Sequence, residues 1–263
     1  MVNHATIARR VSALETSTGK KLVERRADGY VLTDYGQRVL DIATTMETAA
    51  SALAGGLDGN EPAGLVRINA TPSLAQCFLV QRLGRFIVSH PRIDIEIATT
   101  MRSVSLERHE ADIALRLTKP LDGDLLAKPL VTIGFAFYAS PDWTRRMTVG
   151  EPPVFIGFDE ANAHLPEALW LGRQFPRARL SMRTDNQISQ AEAAKSGCGI
   201  ALLPHFVGLA DASLALCDLG QAPPSRTLWL VVRRRDKSTP AIQVVVDFLS
   251  ASFAQERALF EGD

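Results

Sequence analysis

The sequence lacks most of what a stapled, metal-bound or membrane-spanning protein requires. Three cysteines, Cys77, Cys198 and Cys217, stand in unrelated contexts without C-x-x-C spacing. They read as small core residues in a reducing compartment, not as a disulfide frame. The five histidines, His4, His90, His109, His164 and His205, share no ligand spacing, so no metal is expected. His90, before Pro91 at a helix end, reads as a cap or surface residue. No apolar run reaches membrane-spanning length; the best, GIALLPHFVGLA (199–210), is broken by Pro204 and His205. An apolar N-terminal segment with a cleavage motif is also missing, which excludes a signal peptide and points to a soluble, cytoplasmic protein.

Catalytic signatures are absent too. There is no G-x-x-x-x-G-K-[ST], no H-E-x-x-H and no G-x-S-x-G. The GCG at 197–199 joins a helix to a strand instead of a strand to a helix, and reads as a turn. No catalytic residue and no cofactor is therefore expected. Net charge is zero, from 29 basic and 29 acidic residues, and hydrophobic residues make up 46%, enough for a sizeable core.

The even balance hides a local bias. Residues 1–26 carry Arg9, Arg10, Lys20, Lys21, Arg25 and Arg26 against Glu15 and Glu24, a net +4 at one end. Such a bias suits an anionic partner, with nucleic acid the usual candidate and a solvated surface helix the plainer alternative. NHATIARRVSALE (3–15) has Ile7, Val11 and Leu14 at i, i+4, i+7, the stripe of a helix that leans on other helices. Gly19 is a C-cap candidate. Asp28-Gly29 between Leu22–Arg26 and Tyr30–Thr33 signals a hairpin, and Thr33 caps a further helix. That helix repeats Val39, Ala43, Met46, Ala50, Leu53 and Leu57 as a heptad seam, too short and too rich in alanine for a free-standing coiled coil. It suits either a dimer contact or an amphipathic helix on its own domain. GGLDGNEPAG (55–64) is the clearest linker.

Strands and helices alternate beyond it. LVRINA, RIDIEIA, ADIALRL, FAFYAS, PVFIGF, RLSMRT, GIALLP and TLWLVV read as strands. Segments 73–90, 186–197 and 241–260 read as helices, with a short one near 104–110. The pattern predicts an α/β fold with a mostly parallel sheet. Thr71 and Pro72 open one helix after a strand, Asp185 and Asn186 another. Two such helix starts facing each other form a cleft suited to a small anion.

Several of these stretches resemble LysR-type transcriptional regulators. The matching residues are R-x-x-x-L-E (Arg10 to Glu15), G-x-x-L (Gly19 to Leu22), L-T-x-x-G (Leu32 to Gly36), GLVRINATPSLAQCFL, FIVSHP, EADIALR and AAKSGCGIALLPHF, in the family's order. The resemblance implies a partial winged helix-turn-helix (1–33), a linker and dimerisation helix (34–58) and an effector domain (63–263) resembling type 2 periplasmic binding proteins. Lobe one would comprise 65–133 plus 236–263 and lobe two 134–235, with crossings near Val131–Phe135 and Val232–Asp236. His4, Thr6, Arg9, Arg10, Arg25 and Arg26 would face double-stranded promoter DNA at a palindromic site. Where the family often has Ser, this chain has Ala8. Thr71, Ser73, Met101, Ser103, Arg116, Asp185 and Asn186 would surround a small mono-anionic effector, with Asp112 or Glu110 as the competing partner for Arg116. A homodimer or homotetramer is implied, and no membrane partner. The alternative is a binding protein or enzyme on the same two-lobed fold. The two helices that precede the recognition helix in the family are missing here, so a downstream start or a truncated product, with impaired DNA binding, is expected.

Overall fold

The structure, a computed structural model, describes residues 4–26, 29–40, 42, 43, 46, 62–99, 111–120 and 124–262. Helix α1, His4–Thr18, ends at Gly19, whose φ of 66° is the left-handed backbone a helix stop uses. Strands β1 (Val23–Arg26) and β2 (Gly29–Leu32) form the expected hairpin, with Arg26 opposite Gly29. The Thr33 hydroxyl accepts from the Gly36 amide at 2.9 Å and caps a helix over 34–40, α2. A Cβ on Gly36 would stand 2.0 Å from the Leu22 carbonyl oxygen, so only glycine lets α2 lie against the hairpin. Of the heptad seam, Val39 is half-buried and Met46 is 66% exposed; Ala50, Leu53 and Leu57 lie outside the described residues, as does the helix expected near 104–110.

The α/β region is built on two five-stranded sheets. The first holds β3 (Gly64–Ala70), β4 (Ile93–Thr99), β5 (Ile113–Arg116), β6 (Leu125–Ile133) and β12 (Arg226–Arg233), in the order β4-β3-β5-β12-β6. The second holds β7 (Phe135–Ala139), β8 (Val154–Phe158), β9 (Arg179–Thr184), β10 (Ile200–Pro204) and β11 (Ala215–Cys217), in the order β11-β7-β10-β8-β9. Both are mixed, which corrects the mostly parallel expectation. The pairs β3–β4, β3–β5, β8–β9 and β8–β10 are parallel, whereas β12 pairs antiparallel with β5 and β6, and β7 with β10 and β11. Strand β6 escaped the sequence pattern because Pro129 interrupts it; as an edge strand it tolerates the missing N–H.

Helices cover the sheets. α3 (Pro72–Leu74) passes through a π-turn, Ala75–Leu79, into α4 (Val80–Ser89). α5 (Pro141–Thr148), α6 (Pro166–Gln174), α7 (Gln187–Lys195) and α8 (His205–Gly208) belong with the second sheet. The closing helix is interrupted at Glu256, giving α9 (Pro240–Gln255) and α10 (Arg257–Glu261). Arg82 of α4 holds the Glu256 carboxylate at that break and keeps its pKa below the usual range.

The chain crosses between sheets at Gly134, as expected, but returns between Cys217 and Arg226, not near Val232–Asp236. The reason is that β12 sits between β5 and β6, so residues 226–235 belong with lobe one. Arg233 is anchored there: its guanidinium donates to the Ala111 carbonyl and to Asp112, each at 2.9 Å, and to Asp236. At Gly134 the amide donates to the Phe260 carbonyl at 2.9 Å and the carbonyl accepts from the His205 amide at 3.0 Å. A Cβ on Gly134 would come within 2.7 Å of the His205 ring.

Beside this junction Phe78, Phe253, Phe260 and Phe206 pack as tilted and edge-on rings, with centroids 4.6 to 5.2 Å apart. Phe260 is fully buried among them and joins the π-turn before α4, α9 and α8. Phe260→Ala is expected to cost about 3–5 kcal/mol of unfolding free energy, measured by urea denaturation.

Candidate functional site

Two helix starts meet where the sheets face each other. Thr71 follows β3 and caps α3: its hydroxyl accepts from the Leu74 amide at 3.4 Å, with Pro72 in the first turn. Across the junction Asn186 caps α7, accepting from the Ser189 amide at 2.9 Å. Between them the Ser73 hydroxyl donates to Gln187 Oε1 at 3.2 Å, with Ser73 only 3% and Gln187 9% exposed. The space left there, lined by Thr71, Ser73, Leu117, Phe135 and Gln187, is about 10 Å³. That volume admits about one water, so the lobes are closed on each other.

The expected site residues divide at this point. Thr71 and Ser73 line the space; Met101 and Ser103 lie outside the described residues. Asp185 is exposed and accepts from Asn186 Nδ2 at 2.6 Å, so both residues are engaged in the cap. Arg116 does not join the Thr71–Ser73 pair. Alternation along β5 turns it away from Leu117, which lines the space, and toward Asn69, whose Oδ1 accepts from its guanidinium. Asn69 is fully buried and donates in turn to the Ala98 carbonyl at 3.2 Å. Burial lowers the Arg116 pKa. Asp112, one expected partner for Arg116, instead accepts from Arg233 and from the Arg67 amide at 2.8 Å.

Two interlobe contacts were not visible in the sequence. Gln187 is the first residue after a recognisable cap, a position that the Asp185–Asn186 signal brackets without naming. Arg226 at the start of β12 reaches Glu167 on α6 at 2.8 Å and donates to the Leu117 carbonyl at 3.2 Å. Glu167 is 4% exposed, so this ion pair ties the lobes in a desolvated place. No sequence periodicity could pair residues that far apart.

The cysteines are free, as their spacing suggested. Burial pushes the Cys77 thiol up and the Cys217 thiol to about 11, which leaves both as protonated packing groups. His90 caps α4, its ring stacked on Phe86 with centroids 4.1 Å apart. Among the described residues no cluster of three or more His, Cys, Asp or Glu could hold a metal.

The basic N-terminal unit presents Arg9, Arg10 and Arg25 exposed and Thr6 half-buried; the side chains of His4 and Arg26 lie outside the description. Ile7 and Leu14 of the apolar stripe are 49% and 43% exposed. Glu15 explains the R-x-x-x-L-E motif: its carboxylate accepts from the Leu22 amide at 2.8 Å, the Val23 amide at 3.3 Å and Lys21 Nζ at 2.7 Å. It thereby pins the hairpin to the end of α1.

Two α/β lobes joined by two crossings, with a closable space between helix starts, define a two-lobed effector domain behind a basic helix–hairpin unit. Residues 59–254 match the family described as LysR substrate binding domain. The chain belongs to the LysR-type transcriptional regulators, DNA-binding proteins that respond to small effectors, assemble as oligomers and are not enzymes. It is 24% identical over 258 residues to the Mau operon transcriptional activator of Paracoccus denitrificans, covering 98% of this chain and 89% of that one. It is 27% identical over 209 residues to the transcriptional activator AmpR of Rhodobacter capsulatus, covering 77% and 71%. In fold it is similar to the LysR-type regulator CrgA of Neisseria meningitidis (TM-score 0.65, 21% identity, 96% and 90% covered). It is also similar to ArgP of Mycobacterium tuberculosis (TM-score 0.67, 18% identity, 96% and 89% covered). Among the described residues no helix is long and apolar enough to cross a membrane.

The Glu15 clamp has a defined pH dependence. The Lys21 hydrogen bond, then the Leu22 amide, hold its carboxyl below the usual carboxylate range. A folded-state pKa below the unfolded one gives stability that is complete at neutral pH and lost as pH falls through the depressed value. The protection of the Leu22 and Val23 amides, measured against their intrinsic exchange rates, is therefore expected to fall selectively on acidification, a step that disappears in Glu15→Gln.

Proposed function

We propose that this regulator acts in the cytoplasm and binds a small mono-anionic effector between its lobes, with the carboxylate at the start of α3. The observation that carries this is the Ser73–Gln187 hydrogen bond across the closed junction. An incoming carboxylate oxygen replaces Gln187 Oε1 as the acceptor for Ser73, at the positive end of the α3 backbone dipoles. Since about 10 Å³ holds no effector, binding requires the lobes to part at Gly134 and at the 217–226 crossing. Thr71, Ser73 and Gln187 contact the ligand. Met101 and Ser103, outside the described residues, are further candidate contacts, while Asp185 and Asn186 stand at the cap of α7 on the far lobe. Arg116 serves from behind, holding Asn69 and drawing the anion electrostatically. Closure and opening of the lobes change how the N-terminal units are presented to DNA.

In the same reading α1 is the recognition helix and the β1–β2 hairpin a wing. His4, Thr6, Arg9 and Arg10 face the major groove, Arg25 and Arg26 the phosphates, and residues 34–58 pair two chains over a palindromic site. Lobe one then comprises 65–133 plus 226–263, revised from the sequence-based division by the placement of β12.

Calorimetry with an identified effector tests the cleft. Ser73→Ala is expected to weaken binding by about 10- to 100-fold, the loss of a hydrogen bond to a charged group. Arg116→Ala should weaken it less, through electrostatics alone; unchanged affinity in both variants would place the ligand elsewhere. For the DNA unit, in a chain that also carries the two helices preceding the recognition helix in the family, Arg9→Ala is expected to cost about 1–3 kcal/mol in gel-shift binding and to relax discrimination at one base position. A uniform loss across sequences would instead assign Arg9 to phosphate.

A further inference from the structure

We propose that lobe two carries a second small-molecule site, a pocket between α6 and the β8–β9 pair, that takes an aromatic α-amino acid. The pocket measures about 540 Å³, well within the size of ligand cavities, and shares no lining residue with the closed space between the lobes.

Its floor is shaped by an irregularity in strand pairing. Phe155 stands opposite Leu180 and Gly157 opposite Arg183, with a β-bulge in between. Residues three apart on a regular strand face opposite sides; the extra residue brings Leu180 and Arg183 to the same side, beneath α6. The Ser181 hydroxyl secures the bulge, lying 2.6 Å from the Cys198 carbonyl oxygen and 3.2 Å from that of Phe155. An arginine is thus aimed along an otherwise apolar face. Gly157 keeps the floor bare, since a Cβ there would press on Leu180 at 3.3 Å. The roof is Ala168 and Leu171 of α6 with Phe175 just past its end, and the Phe155 and Phe175 rings stand 4.8 Å apart.

Both signs of charge meet at the other end. The Asp159 amide donates to the Thr184 carbonyl at 2.9 Å, which places the Asp159–Glu160 turn beside Arg183. Asp159 Oδ1 accepts from the Asn162 amide and side chain at 3.1 and 2.7 Å, and Asp159 and Glu160 both line the pocket. Among the described residues the side chains of Arg183 and Glu160 make no hydrogen bond or ion pair. A cation and carboxylates at one end of an aromatic cavity complement a ligand whose carboxylate and ammonium share one carbon and whose ring extends inward. Arg183 takes the carboxylate, Glu160 and Asp159 the ammonium, and the ring lies against Phe175 and Leu180, above the buried Phe155.

Gly172 supplies a clean test, because a Cβ at this position meets nothing within 4 Å and Leu is a better helix former than Gly. Calorimetry on the whole chain should show saturable binding of L-phenylalanine. Phenylacetate and phenethylamine, each lacking one charge, should bind at least about tenfold more weakly. Gly172→Leu, filling the pocket, and Arg183→Gln should each weaken L-phenylalanine by about tenfold or more. Ser73→Ala should leave it unchanged, which separates this site from the interlobe cleft. The proposal is overturned by no saturable binding, by equal binding of phenylacetate, by unaltered affinity in folded Gly172→Leu, or by a loss in Ser73→Ala.

Discussion

The backbone of Gly134 is gripped from both sides, its amide by the Phe260 carbonyl and its carbonyl by the His205 amide, and the placing of the two sheets depends on that grip. It lies where the chain leaves the first sheet for the second. Any side chain at this position would strike the His205 ring, so a residue without one is a steric requirement. The last helix supplies one half of the grip and α8 the other. The C-terminal end of the chain therefore fixes a junction formed in its middle. The tilted and edge-on Phe78, Phe253, Phe260 and Phe206 rings beside it make that junction a continuation of both cores.

Buried charge is distributed so that it specifies the arrangement of lobes. Arg233 satisfies its guanidinium with Ala111, Asp112 and Asp236 and locks β12 into the first sheet. Arg226, at the other end of the same strand, reaches out of that sheet to Glu167 of the second lobe. One strand thus carries a lock at its end and a link at its beginning. Desolvated pairs of this kind add little net stability, yet leaving either partner alone is costly, so they favour one arrangement over its alternatives. The Ser73–Gln187 bond is a neutral contact that a ligand can displace at small cost. The closed junction is therefore held by charge away from the cleft and by an exchangeable bond within it.

Local chemistry was legible in the sequence wherever a short-range rule governs it. The Asp28-Gly29 hairpin, the Gly19 stop, the Thr33, Thr71 and Asn186 caps, and eight strands follow from turn and capping preferences acting over a few residues. Strand β6 was illegible because Pro129 mimics a break, and β11 because three residues carry no period. The mixed sheets were illegible because a strand's direction depends on its neighbours and not on its own side chains.

The sequence by itself determined that two capped helix starts follow strands and that Thr71 and Ser73 stand at one of them, since capping is satisfied by residues adjacent in the chain. Only the tertiary structure decided that Ser73 meets Gln187, that β12 returns to the first sheet, and that Arg116 faces Asn69 instead of the cleft. Those outcomes turn on strand order and on which face of a sheet is covered. Both are set by burial and hydrogen-bond satisfaction summed over segments up to about half the chain apart, which no local pattern encodes.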